Sequence, residues 1–163
     1  MSSEKRNETG QPALDLLVDA EGKTIDLSGE LRVHLDDLVE ARPAPEGWIH
    51  LASVREVGLA IMFGNVVELS LDSDLDSNEE KLEIWGRGYQ VIDFLENQEA
   101  IGGASLWPRD GITIHTANSD SRDKMKQAIE TIPRRHAHLR VKEAEGRPAS
   151  QPKYFIERVE DEE

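Results

Sequence analysis

Short apolar runs alternate with helical repeats through the middle of the chain. The run LRVHL predicts a strand over 31–35, which leads straight into Asp36 and Asp37. VEARPAPEG follows with two prolines and a glycine, so it reads as loop rather than helix. WIHLA predicts a short strand over 48–52. Ser53 and Glu56 fit a capping box, in which the serine caps a free backbone N–H and the glutamate reaches back. Val54, Val57 and Ile61 recur behind them at helical spacing, and Gly64 suits the stop. VVELSL is a second strong strand, and it ends in Asp72 and Asp74. An acidic loop, DSNEEKLE, leads to a helix near Gly88. Tyr89, Val91, Ile92 and Leu95 form its apolar side, and Gly102 and Gly103 end it. GITIHT is the third clear strand, and its end carries His115, Thr116 and Asn118. A helix over 121–132 follows, with Met125, Ala128, Ile129 and Ile132 on one face and Pro133 as its stop.

This alternation argues an α/β fold with a mostly parallel sheet. The ends differ. Residues 1–11 are polar and predict disorder, and 13–27 predict a hairpin turning at Gly22. HLRVKEA and KYFIERV are strand-like runs around a Gly/Pro/Ser turn region. They read either as one more parallel strand plus an edge or as a terminal hairpin. EDEE is a solvated tail. The organisation is therefore an N-terminal extension over 1–30, one domain over 31–133 and a C-terminal strand-like extension over 134–163.

Composition narrows the chemistry. The 163 residues include no cysteine, which excludes disulfides, thiolate zinc sites and cysteine nucleophiles. No apolar run approaches a membrane span, and the first residues lack a signal-peptide core, so the expected location is the cytoplasm. There are 33 Asp+Glu against 19 Lys+Arg, a net charge of −14. A field of that sign repels phosphate backbones and argues against broad nucleic-acid binding. A small anionic ligand needs a local basic group or a bound cation to offset it.

In open parallel sheets, ligands bind beyond the carboxyl ends of the strands. Three strand ends here deliver polar groups: Asp36 and Asp37, then Asp72, Ser73 and Asp74, then His115, Thr116 and Asn118. Gathered carboxylates repel one another unless a proton, a basic group or a hard cation intervenes. Mg²⁺ suits oxygen ligands and keeps waters that a phosphate can replace. A histidine moves protons near neutral pH. Thr116 and Asn118 can donate to phosphate oxygens, and Arg42 and Arg122 can supply positive charge. Each element also has a plain structural reading. An Asp pair after a strand is turn and cap chemistry, the acids after Asp72 make a solvated loop, Ser73 and Asn118 are caps, and His115 is a strand-end histidine. His136 and His138 read as surface histidines. The coincidence of three strand ends is what favours a site.

The span from Leu31 to Ile132 resembles the cyclic-phosphate processing receiver-like domain family, a divergent relative of two-component receiver domains. The matching segments are LDD at 35–37, RPAPEGW at 42–48, LSLDSDL at 69–75, GY at 88–89 and HTAN at 115–118 with Arg122 and Met125. The resemblance implies a flavodoxin-like sheet flanked by helices. It implies Asp36 and Asp37 as the metal-side acids; with Asp72, the acids gathered at the strand ends are the expected ligands of Mg²⁺, or of Mn²⁺ in its place. Asp72 also falls at the receiver phosphoacceptor position, and Thr116 at the receiver hydroxyl position. The implied activity is processing of cyclic nucleotides or cyclic-phosphate RNA ends. The chain departs from the family in three ways. Ser73 replaces a histidine, the last-strand lysine has only Lys142 as a candidate, and a Pro-rich loop replaces the first receiver helix. The expected function is thus a metal-assisted phosphoesterase with Asp72, His115 and Thr116 as catalytic residues. Arg42, Ser73, Asn118 and Arg122 are expected to bind substrate. The alternative is a non-catalytic module that senses phosphate or nucleotide, or an interaction domain with an inactive pocket.

Overall fold

The computed structural model describes residues 19, 22, 24–36, 46–72, 88–101, 106–115 and 119–159. Six strands form one mixed sheet in the order β2-β1-β3-β4-β6-β5. They are β1 (Glu30–Leu35), β2 (Ile49–Leu51), β3 (Asn65–Leu71), β4 (Ile112–Ile114), β5 (Leu139–Glu143) and β6 (Lys153–Arg158). The first four pair in parallel, in the order expected of a receiver or flavodoxin-like sheet. The terminal hairpin reading is the one observed: β5 and β6 pair antiparallel, and β6 joins β4 antiparallel. Lys142 therefore lies exposed on the outermost strand. The expected N-terminal hairpin lies mostly outside the described residues; within its span the Gly22 N–H donates to the Asp19 carbonyl at 3.0 Å.

The Pro-rich connection does not disturb pairing at the edge. β2 meets β1 in regular parallel register, Val33 with Ile49, His34 with His50 and Leu35 with Leu51. The expected capping serine starts α1 (Val54–Phe63): the Ser53 Oγ accepts from the Glu56 N–H at 3.3 Å and donates to the Glu56 carboxylate at 2.9 Å. Gly64 ends α1 in an extended conformation. Glycine is required there by space, since a Cβ would come within 2.7 Å of Leu31 Cδ1 and 2.9 Å of the Ala60 carbonyl oxygen. The remaining helices are α2 (Tyr89–Ile101), α3 (Ser119–Glu130) and the short α4 (Ile132–Arg135). Pro133 opens α4 rather than closing the preceding helix, consistent with proline's tolerance at a helix start.

The two faces of the sheet differ chemically. Val33, Leu35, Leu51, Leu69, Leu71, Ile112 and Ile114 form one buried cluster with Val57, Ala60 and Ile61 of α1, Val91, Ile92 and Leu95 of α2, and Met125 and Ile129 of α3. Side chains alternate along a strand, so the intervening residues face the other way. There, register aligns His50, His34, Ser70, Thr113 and Lys153 in one row across five strands. A row nearer the amino ends is held by charge: Glu68 is bound by Arg32 and, at 3.0 Å, by Lys153, and Arg32 also reaches Asp110 at 3.0 Å. A hydrogen bond from Arg109 holds the Asp110 carboxyl below the usual carboxylate range.

Candidate functional site

The next row toward the carboxyl ends consists of Asp36, Asp72 and His115. They occupy neighbouring strand ends, because the parallel ladder continues one residue past each strand. The Asp36 N–H donates to the Leu51 carbonyl at 3.1 Å, the Asp72 N–H to Leu35 at 3.0 Å and the His115 N–H to Leu71 at 2.9 Å. Asp36 is fully buried and Asp72 is 1% exposed. Adjacent strands lie only about 5 Å apart, so two carboxylates and an imidazole share one edge.

Two further histidines join them. His34 is two residues before Asp36 and therefore on the same face of β1. Its ring stacks on that of His115, with centroids 4.3 Å apart and planes 8° from parallel. Both rings approach the Asp36 carboxylate: His115 Nε2 lies 3.4 Å from Asp36 Oδ2, and His34 Nε2 lies 3.9 Å from the same atom. The Ser70 hydroxyl, on the strand between them, meets His115 Nδ1 at 2.6 Å. That bond fixes the ring and leaves Nε2 turned to Asp36. His50 packs edge-on against His34 at 5.3 Å, and its Nε2 meets the Asp36 backbone carbonyl at 2.5 Å.

His34, Asp36 and His115 can thus hold a metal ion, because their donor atoms all lie within 4.8 Å of one another. Two imidazole nitrogens and one carboxylate form a donor set suited to first-row transition ions, with positions left for water or substrate. Mg²⁺ prefers oxygen ligands alone. The set expected from sequence shares Asp36 with this cluster. Asp72 is its buried neighbour, and Asp37 lies outside the described residues.

A model of the cyclic-phosphate processing receiver domain matches residues 31–131. The chain belongs to that family. No curated protein and no solved structure matches it.

Within this receiver domain the match begins at β1 and ends just past α3, so it takes in every residue of the cluster. Of the other expected site residues, Arg42, Ser73, Thr116 and Asn118 lie outside the described residues. Arg122 is described in the first turn of α3, just after His115 in the chain. Its Nε is buried and has no hydrogen-bond partner among the described residues. His34, His50 and Ser70 were not singled out by the sequence reading. The signal was present: His-x-Asp on β1, Ser-x-Asp on β3 and Thr-x-His on β4 have the same period of two. Buried parallel strands usually read as continuous apolar runs, so this alternation marks a face reserved for polar groups. His136 and His138, which read from the sequence as surface histidines, have acidic neighbours supplied by α2. Glu96 lies 3.4 Å from His136 and Glu99 lies 2.7 Å from His138.

Proposed function

We propose that this domain opens the ring of a cyclic phosphate by hydrolysis, at the edge formed by His34, Asp36, Asp72 and His115. The observation that carries this reading is the burial of a carboxylate beside two stacked imidazoles at the switch point of the sheet, in a chain whose family is named for cyclic-phosphate processing. Water adds to phosphorus, one ring P–O bond breaks, and the departing alkoxide receives a proton. The product is a phosphomonoester beside a free hydroxyl.

His34, Asp36 and His115 would hold a divalent cation, which when bound would supply Lewis-acid activation of the water and offset the phosphate charge. Ser70 keeps His115 in one orientation through Nδ1, and the His50 ring fixes the Asp36 backbone. Asp72 takes the water proton and passes it to the leaving oxygen, as a buried carboxylate beside the cluster can. Arg122 and the amino end of α3 bind the phosphate oxygens. His115 was expected to be a proton donor; its fixed geometry supports a ligand role.

Ser73, where the family carries histidine, favours a second reading in which the edge binds phosphate without turnover. The test is phosphorus NMR of the metal-loaded protein with cyclic mononucleotides, cyclic dinucleotides and ribose 2′,3′-cyclic phosphates. A monoester product, lost in Asp72→Asn, supports hydrolysis. Ligand binding without product supports the second reading.

A further inference from the structure

We infer that the His34–Asp36–His115 cluster is a site for a nitrogen-preferring first-row metal ion of the Zn²⁺ or Co²⁺ class, with Ser70 as its positioning residue. The inference shares its residues with the proposed hydrolysis but does not require turnover.

Three independent features converge on it. The first is donor spacing. A tetrahedral site with bonds of about 2.0–2.1 Å places its donor atoms roughly 3.3–3.4 Å apart. His115 Nε2 and Asp36 Oδ2 are already 3.4 Å apart, and His34 Nε2 needs to close from 3.9 Å. The second is the outer contact. Metal-bound histidines usually engage their other ring nitrogen in a hydrogen bond, which sets tautomer and direction, and Ser70 does this for His115 at 2.6 Å. The third is burial. Asp36 is fully buried beside two rings that are each 9% exposed in their side chains. A cation beside a buried carboxylate is attracted more strongly than beside an exposed one, because the local dielectric is low.

One geometric consequence follows. Two parallel rings cannot both aim in-plane lone pairs at one ion. Binding must therefore tilt the stacked pair away from its 8° interplanar angle. The ring resonances of His34 and His115 should move together on loading, while those of His136 and His138 stay in place.

The experiment is titration of the full chain, stripped of metal, with Co²⁺ followed by visible ligand-field absorption. One Co²⁺ per chain is expected, displaced by equimolar Zn²⁺ and retained in about thousandfold excess Mg²⁺, because imidazole ligands favour the transition ions. His34→Ala and His115→Ala should abolish the bands. These substitutions open a buried cluster, so Ser70→Ala, which keeps all three ligands, is the second variant. It should weaken Co²⁺ binding by about 10–100-fold with unchanged stoichiometry. Absent bands in the wild type would overturn the inference. So would bands that persist unchanged in the histidine variants, an unaltered affinity in Ser70→Ala, or equal competition by Mg²⁺. Co²⁺ binding without hydrolysis leaves the metal site intact and removes the phosphoesterase reading. Hydrolysis by a chain that binds no Co²⁺ does the reverse.

Discussion

His34 lies flat against His115, with ring centroids 4.3 Å apart, although β3 runs between their strands. The two side chains lean toward each other over Ser70, and this small residue permits the approach. Its hydroxyl then grips His115. A bulkier Ser70→Leu should separate the rings and lose that bond. The expected result is a cooperatively folded protein, destabilised by about 1–3 kcal/mol from overpacking. Comparison of thermal unfolding with histidine ring NMR checks it; ring shifts matching the wild type would contradict the contact.

Arg122 is expected to act on binding rather than on chemistry. Arg122→Ala should raise KM for a cyclic phosphate about tenfold or more while kcat changes little, the pattern of lost uniform binding. Steady-state kinetics decide it. A fall in kcat at constant KM would move Arg122 into the reacting centre.

Glu99 gives the C-terminal hairpin a pH dependence. Its buried carboxylate on α2 meets His138 at 2.7 Å and Arg158 at 3.2 Å, tying α2 to the segment around β5 and to β6. Burial pushes this carboxyl upward, but the hydrogen bonds from His138 and Arg158, with their charges, more than offset it and hold it below its usual 4.5. A lowered folded value adds stability above the unfolded value and loses it as pH falls through the folded one. The contribution should therefore be full near neutrality and be lost in acid as pH falls below 4.5 and on through the lowered folded value. Glu99→Gln should cost roughly 1–3 kcal/mol at neutral pH and flatten the acid limb of a stability–pH curve. Denaturant titrations across that range test this, and parallel curves for the two proteins would contradict it.

Gly64 tests the packing at the end of α1. Gly64→Ala places a methyl against both Leu31 and the Ala60 carbonyl. The leucine can move, but the backbone oxygen gives way less easily. A loss of about 1–3 kcal/mol is expected in denaturant unfolding, and an unchanged midpoint would show that the helix end adjusts freely.

The sequence made the order of elements legible because each carries a local signal. Ser53 with Glu56 marked the start of α1, and the apolar run at 66–71 marked β3. Tyr89 shows the limit of such signals. It fits the apolar spacing of α2 but is 40% exposed, while Glu99 is buried instead because the C-terminal hairpin supplies its partners. The edge of the site was legible in Asp36, Asp72 and His115, which directly follow apolar runs. His34, Ser70 and His50 lie within the strands, and reading those strands for hydrophobicity alone conceals them. Their meeting depends on register between strands far apart in sequence, as in the pairing of His34 with Ser70. No local spacing encodes that register.

The central claim is that the His34–Asp36–His115 edge processes cyclic phosphates. The most direct test is phosphorus NMR of ribose 2′,3′-cyclic phosphate hydrolysis by metal-loaded wild type and by Asp36→Asn, with both proteins shown to be folded by circular dichroism. The account expects the cyclic resonance to give way to a phosphomonoester in the wild type and the rate to fall at least about a hundredfold in the variant, as for loss of a ligand or charge in the reacting centre. Equal rates from the two folded proteins would contradict it.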